Sequence, residues 1–308
     1  MATAQPKPPV LFIVGPTASG KTDAALLLAE RSSIEVINAD SRQVYRRLSI
    51  GAAKPTAEQR AVCPHHLFDV VDPDERFNLA AYLDLARAAI DGVLERGSLP
   101  VVVGGAGQYV WALAEGWRVP RVPAQPEVRE RLERQARTDG AEALHDALRR
   151  VDPASAASID ARNVRRVVRA LEVFHVTGRP FSAQRVKQAP PFEPCLMGLW
   201  RSRDELHRRV DARVERMLAD GWLGEVAALL AMGYAPESPA FSSAGYRALA
   251  HHLAGELTLS EAVARARAAH HALLRRQAAW FRRDDSRIAW RADAVELASA
   301  AEQRLRPG

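Results

Sequence analysis

Gly15, Gly20, Lys21 and Thr22 fit the spacing G-x-x-x-x-G-K-[ST] within "GPTASGKT", and the chemistry of that spacing is the holding of phosphate. The backbone of Gly15, Pro16, Thr17, Ala18, Ser19 and Gly20 should form an anion-binding concavity at the positive end of the following helix. Lys21 adds a mobile cation, and the Thr22 hydroxyl suits Mg2+. A second candidate is Asp40 in "NADSRQVYRRL". It stands just past the carboxyl end of an expected strand, the edge where open α/β sheets bind ligands, so it is placed to take a proton from an incoming nucleophile. The same position would also suit an Asp that only caps a helix.

A nucleotide hydrolase normally ends a later strand with an acidic residue that helps to hold Mg2+. Here "VVV" runs into Gly104 and Gly105, and no N-K-x-D or T-K-x-D guanine-reading motif occurs. The loop without those parts points to a substrate whose diphosphate is a leaving group. Arg162, Arg165, Arg166 and Arg169 recur at i, i+3, i+4 and i+7, one helix face that could follow a phosphate backbone or could be a solvated face paired with acids. Val164, Val167, Val168 and Leu171 mark the neighbouring, buried face. The adjacent histidine pairs at 65–66, 251–252 and 270–271 lack the i, i+4 spacing that brings two ligands to one metal. Among the tryptophans, Trp280 beside the arginines of "RRQAAWFRR" is the candidate for base stacking.

The elements that must position these residues alternate at first between strand and helix, as in a parallel sheet covered by helices. Strands are expected at residues 10–14, 34–37 and 99–103, with an amphipathic helix before the third that ends at Gly97. Prolines at 120, 123 and 126 open a different stretch, "PEVRERLERQARTDGAEALHDALRRV", read as two helices turning at Asp139-Gly140. The arginine helix follows and stops at Gly178. Pro190, Pro191 and Pro194 then precede "CLMGLW", read as a strand returning to the sheet. The expected organisation is an α/β core of residues 1–117 and 196–308, with residues 118–195 as a helical insertion.

With 308 residues and 47% hydrophobic content, the chain has ample material for a buried core. The start "MATAQPKPPV" carries no apolar signal region, and no run approaches the ~18 apolar residues of a membrane span. A cytoplasmic protein without membrane partners, and a monomer, is expected. Cys63 and Cys195 have no C-x-x-C pairing, so neither a disulfide framework nor a zinc site is expected. The net charge of +6 suggests a polyanionic partner. Its weight is limited, because the charge is nearly all arginine and heavy Arg and Ala use also follows from a GC-rich genome.

Taken in order, "GPTASGKT", "NADSRQVYRRLSIGAAKP", "PHHLFDVVDP", "VVVGGAGQYVWAL", "NVRRVVRALEVF", "RVERMLADGWLGEV", "AGYRAL" and "RRQAAWFRR" resemble the bacterial tRNA dimethylallyltransferases over roughly residues 10–290. The resemblance implies a P-loop NTPase-like core with a helical insertion. It also implies transfer of a dimethylallyl group from dimethylallyl diphosphate, with Mg2+, to N6 of the adenosine immediately 3′ of the anticodon in tRNA. The loop from Gly15 to Thr22 would then hold the diphosphate, with Arg213 as a further cation, and Asp40 would be the general base. The tRNA contacts it implies are Asp40, Ser41, Arg42 and Gln43, then Arg129, then Arg165, Arg166, Val167, Val168 and Arg169, and finally Ser242, Ser243, Ala244, Gly245, Tyr246 and Arg247. Ala52, Ala106 and Ala279 stand where the family usually has Thr, so position 106 is left with a steric or backbone contact. A small-molecule or nucleoside kinase, an adenylate isopentenyltransferase and a non-catalytic RNA-binding module are the alternatives. The first leaves the strand end and the arginine stripe unexplained, the basic insertion disfavours the second, and Lys21, Thr22 and Asp40 together disfavour the third.

Overall fold

The computed structural model describes residues 6–184 and 186–305. Two compact units result: one ends at Ala114 and resumes at Pro190, and the other is Glu115–Ala189.

In the first unit, β1 (Pro9–Val14), α1 (Lys21–Ala29), β2 (Ile34–Asn38), α2 (Ala57–Val62), β3 (His65–His66), α3 (Leu79–Glu95), β4 (Leu99–Gly104) and α4 (Gly107–Ala114) follow one another. The second unit carries β5 (Trp117–Arg118), α5 (Pro126–Thr138), α6 (Ala141–Val151), α7 (Pro153–Ser158), α8 (Val164–Thr177), α9 (Phe181–Gln184) and β6 (Val186–Lys187). The chain returns to the first unit with β7 (Glu193–Leu199), α10 (Arg203–Ala219), α11 (Trp222–Ala231), a 3-10 turn at Pro239–Ser242, α12 (Tyr246–Leu253), α13 (Leu259–Trp280), β8 (Ile288–Arg291) and α14 (Ala294–Leu305).

The sheet runs β3-β2-β4-β1-β7-β8, and every pairing in it is parallel. β1 lies inside it with Val10, Leu11, Phe12, Ile13 and Val14 fully buried, which is why that segment is apolar at every position instead of alternating. Each such side chain contributes about 1.5–3 kcal/mol of burial. One core joins Leu11, Ile13, Val101 and Met197 of the sheet to Leu28 of α1 and Leu297 of α14. A second joins Val44, Tyr45 and Leu48 to Trp222, Phe241, Tyr246 and Leu249. The strands expected at 10–14, 34–37 and 99–103 are present as β1, β2 and β4, and the returning strand is β7. β3 and β8 were not anticipated. Residues 190–195 belong to the sheet unit and not to the insertion, because β7 already pairs with β1 from Glu193.

In the helical unit, Leu132, Leu144, Leu148, Val167, Val168 and Leu171 form the core. Glu172 is a fully buried carboxylate in it. It accepts from Arg129 Nε (2.7 Å) and Nη2 (2.9 Å), Arg169 Nη1 (2.6 Å) and the Gln125 N–H (2.8 Å). Burial pushes this carboxyl upward, but the hydrogen bonds from Arg129, Gln125 and Arg169 prevail and hold it below its ordinary value. A carboxyl held down in the folded state stabilises at neutral pH, and that contribution is lost as pH falls through its folded pKa. Glu172→Gln should therefore cost about 2–3 kcal/mol, below the range for a fully enclosed pair because both guanidinium groups reach solvent. Urea unfolding of the chain at neutral pH reads this directly; an unchanged midpoint would mean the two arginines simply turn to water.

Candidate functional site

The loop between β1 and α1 leaves the sheet at Gly15, whose φ of 142° suits only glycine and whose added Cβ would meet Leu199 O at 2.9 Å. Ala18 is in the left-handed region at φ 63°, and Gly20 at 102° caps α1. The loop is tied from behind. Arg201 Nε donates to Ser19 O (3.1 Å), Arg209 Nε to Ala18 O (2.8 Å) and Arg213 Nη1 to Thr17 Oγ1 (3.3 Å). The Thr17 N–H donates to Gln277 Oε1 (2.6 Å), and Lys21 Nζ to Pro16 O (2.7 Å). Ala18 itself packs on Leu206 and Val210 of α10 and Leu274 of α13. With these carbonyls engaged, the N–H groups of Ala18, Gly20, Lys21 and Thr22 have no protein acceptor among the described residues, and the Thr22 hydroxyl has none either. Ser19 is buried with its hydroxyl unpartnered.

The electrostatics suit an anion. Burial lowers the Lys21 pKa to about 8, with the positive charge of Arg213 adding to the shift and Asp40 opposing it. Burial also lowers Arg213, helped by Arg209 and Arg216 and opposed by Asp23 and Asp40. Asp40 follows β2 and its N–H is held by Asn38 Oδ1 (2.8 Å). Its Oδ1 accepts from the Arg42 N–H (2.8 Å), closing a local turn; no helix follows. The other carboxylate oxygen, Oδ2, has no protein donor among the described residues. Asp40 therefore caps no helix: one oxygen closes the turn, and the other stays free near Lys21 and Arg213.

Around Asp40 the expected contacts divide. Ser41 is half-buried, Arg42 Nη1 donates to Ser242 Oγ (2.8 Å), and Gln43 Nε2 donates to Ala52 O (3.1 Å) and Ala53 O (2.8 Å), leaving its Oε1 open. Ser242 and Arg247 are exposed and Ala244 is half-buried. Ser243, Gly245 and Tyr246, by contrast, are interior residues. Tyr246 donates its OH to Glu225 Oε1 (2.6 Å), a Cβ at Gly245 would meet Trp222 at 2.2 Å, and the buried Ser243 hydroxyl has no partner, so none of the three presents a side chain at the surface. Ala106 has its N–H on Ala39 O and its carbonyl taken by Tyr109 and Val110, which removes the backbone contact and leaves only a steric one.

On α8 the outcome is similar. Arg165 and Arg166 are exposed without an ion pair among the described residues, whereas Val167 and Val168 are core and cannot touch RNA. Arg129 of α5 and Arg169 serve Glu172, whereas Arg162 lies in the turn before α8, whose N-cap is Asn163, and pairs with Asp160, so it is not part of the expected helix face. Trp280 is 44% exposed and covers Gly107.

The IPP transferase family profile matches residues 43–284. The chain belongs to the IPP transferase family. It is 49% identical over 298 residues to a tRNA dimethylallyltransferase of Roseiflexus sp. (strain RS-1), covering 97% of this chain and 98% of the relative. It is also 49% identical to one from Chloroflexus aggregans over 92% of this chain and 96% of that one. The full-length tRNA isopentenylpyrophosphate transferase of Bacillus halodurans superposes with a TM-score of 0.71 at 36% identity, covering 97% of both chains. A eukaryotic dimethylallyltransferase acting on tRNA superposes with a TM-score of 0.79 at 25% identity, covering 96% of this chain and 77% of that one. The fold is P-loop NTPase-like, α/β with a mainly parallel sheet.

Four contributors escaped sequence reading: Arg201, Arg209, Gln277 and Glu225. Arg209 and Arg213 do carry a signal, since i, i+4 on α10 puts both on one face. Glu225 takes the N–H groups of Ser49 (2.7 Å), Ile50 (2.8 Å) and Gly51 (3.2 Å), and nothing in "GWLGEV" announces that.

A bound diphosphate raises the pKa of Lys21 from about 8, because the ammonium form faces the anion. Affinity is then full below that pH and falls as pH rises through it, by up to about tenfold per unit. Calorimetry with inorganic pyrophosphate from about pH 7 to about pH 9.5 should show this fall and proton uptake on binding, both absent in Lys21→Met. Identical pH profiles for the two proteins would remove Lys21 from the contact.

Proposed function

We propose that the chain transfers the dimethylallyl group of dimethylallyl diphosphate to N6 of the adenosine immediately 3′ of the anticodon in tRNA, releasing diphosphate. The observation that carries this is the pairing of a phosphate loop crowded by Lys21, Arg209 and Arg213 with a carboxylate, Asp40, whose Oδ2 is free. The N6 lone pair is delocalised into the adenine ring, so the nucleophile is weak. Its attack forms the N–C bond while the allylic C–O bond breaks and both electrons leave with the diphosphate. The unpartnered amides of the loop, with Lys21 and Arg213, stabilise the charge that gathers on the leaving group. Asp40 Oδ2 takes the N6 proton.

Mg2+ fits the donor set. No group of three or more His, Cys, Asp or Glu among the described residues could enclose a metal, but Mg2+ characteristically uses one or two protein oxygens with phosphate oxygens and waters. Thr22 Oγ1 would hold it, and it would neutralise diphosphate charge. The target base must leave the loop stack, at a cost of about a few kcal/mol. Asp40, Ser41, the open Oε1 of Gln43 and the Arg42–Ser242 pair are positioned to meet it. No described helix is long and apolar enough to cross a membrane.

The direct test incubates the protein with radiolabelled dimethylallyl diphosphate and unmodified tRNA, with ATP and AMP as competing acceptors. Label in AMP and not in tRNA would favour the adenylate-directed alternative. Asp40→Asn keeps size and hydrogen bonding to N6 but cannot take the proton. Single-turnover transfer should slow by about 10²–10⁴-fold with little change in tRNA affinity; a wild-type rate would leave Asp40 as a turn-closing residue only.

On α8, Arg165 and Arg166 are the arginines of the expected stripe that have no ion pair among the described residues. Replacing both with Ala should weaken tRNA binding and reduce the slope of log affinity against log salt by about 1–2, since each phosphate contact releases a counterion. Pyrophosphate affinity should stay as it was. An unaltered salt slope would assign this face to solvent.

A further inference from the structure

We infer that Gln277 makes the phosphate loop selective for a diphosphate by closing the position of a third phosphate. This deepens the reading of the loop as a diphosphate cradle and rests on it. Gln277 is buried on α13, and its Oε1 takes the Thr17 N–H at 2.6 Å. Only oxygen can accept that hydrogen, so the amide's orientation is fixed by chemistry. The rest of the amide lies against the end of β4: a Cβ at Gly105 would stand 2.3 Å from Nε2 and 2.8 Å from Cδ. The side chain therefore fills the gap between the loop and the end of the neighbouring strand.

That gap matters in a nucleotide-hydrolysing loop. There the amides cradle the inner phosphates, the lysine reaches outward, and a strand-end acid helps to hold the metal on the outer phosphates. Here Thr17, the first non-proline residue after Gly15, has its N–H on Gln277 and its hydroxyl on Arg213. The amides left for an anion start at Ala18, on the helix side of the loop. Two phosphates fit the donors that remain; a third meets the amide of Gln277 in place of the Thr17 N–H.

The test compares inorganic pyrophosphate with tripolyphosphate, both with Mg2+, as competitors of dimethylallyl transfer and as ligands in calorimetry. The wild type should bind pyrophosphate more tightly by at least about tenfold, the scale of one lost hydrogen bond to a charged group. Gln277→Ala frees the Thr17 N–H and opens the gap, so tripolyphosphate should gain and the preference should shrink by about tenfold. Gln277→Asn, one methylene shorter, should shift the preference the same way and serves if the Ala variant does not fold. A wild type indifferent to the third phosphate, or an unchanged preference in the folded variants, overturns the inference. Lys21→Ala separates the two levels: pyrophosphate binding that survives it sinks the cradle itself, whatever Gln277 does.

Discussion

Everything in the site depends on keeping several like charges together around one small loop. Lys21, Arg209 and Arg213 gather there with Asp23 and Asp40 as the opposing carboxylates, and the lowered pKa of Lys21 reflects first its burial and then the neighbouring charge of Arg213. Folding tolerates it because each cation also makes a specific hydrogen bond to the loop, to Pro16 O, Ala18 O or Thr17 Oγ1. The repulsion is relieved only when an anion arrives. It is relieved most when the anion carries the greatest charge, which for a departing diphosphate is as its C–O bond breaks. Such a cradle favours the transition state over the ground state, and that difference is what accelerates a reaction.

The same ties make the loop rigid before any ligand is present. Arg201, Arg209 and Gln277 hold backbone groups from chain segments about two hundred residues away, so no reorganisation is needed at the moment of transfer. On the opposite rim, Glu225 gathers three successive N–H groups of 49–51, and Gln43 reaches the carbonyls of Ala52 and Ala53 just beyond. Asp40 and the residues after it are thereby set on a framed turn, although the segment has neither helix nor strand. Ala52 contributes its carbonyl to that frame, so the loss of the family's hydroxyl there leaves this interaction intact.

The strongly patterned parts of the chain were readable: the apolar runs that became β1, β2, β4 and β7, the helix of 79–95, and three helices of the insertion, α5, α6 and α8 with its stop at Gly178, whereas the short α7 and α9 were not. β3 and β8 are two and four residues long and carry no period to detect. The loop and Asp40 could be found because their chemistry needs particular residue types at a fixed spacing. The ties on the loop could not, because an arginine or glutamine bound to a distant backbone atom looks like any other. Contiguous transfer of contacts joins exposed and interior positions where helix geometry alternates them. Val167 and Val168 point into the core while Arg165 and Arg166 point out, and Tyr246 turns inward to Glu225. Glu172 was the unforeseen element, a buried acid that draws Arg169 away from the surface stripe and engages Arg129 of α5 as well.

The end of β4 carries glycines where a nucleotide hydrolase normally has the acid that helps to hold Mg2+. An acid there would need a side chain at position 104 or 105, and the packing forbids both. A Cβ at Gly104 would lie 2.1 Å from Ala39 O, the backbone that carries the chain from β2 into Asp40. A Cβ at Gly105 would lie 2.3 Å from Gln277. The first contact sets Asp40 at its height above the sheet, and the second sets the side chain that holds the Thr17 N–H. A carboxylate at this edge would therefore displace either the turn that carries Asp40 or the side chain of Gln277. The glycine pair is the steric condition under which the loop after β1 and the Asp40 turn after β2 come together beyond the end of the strand between them.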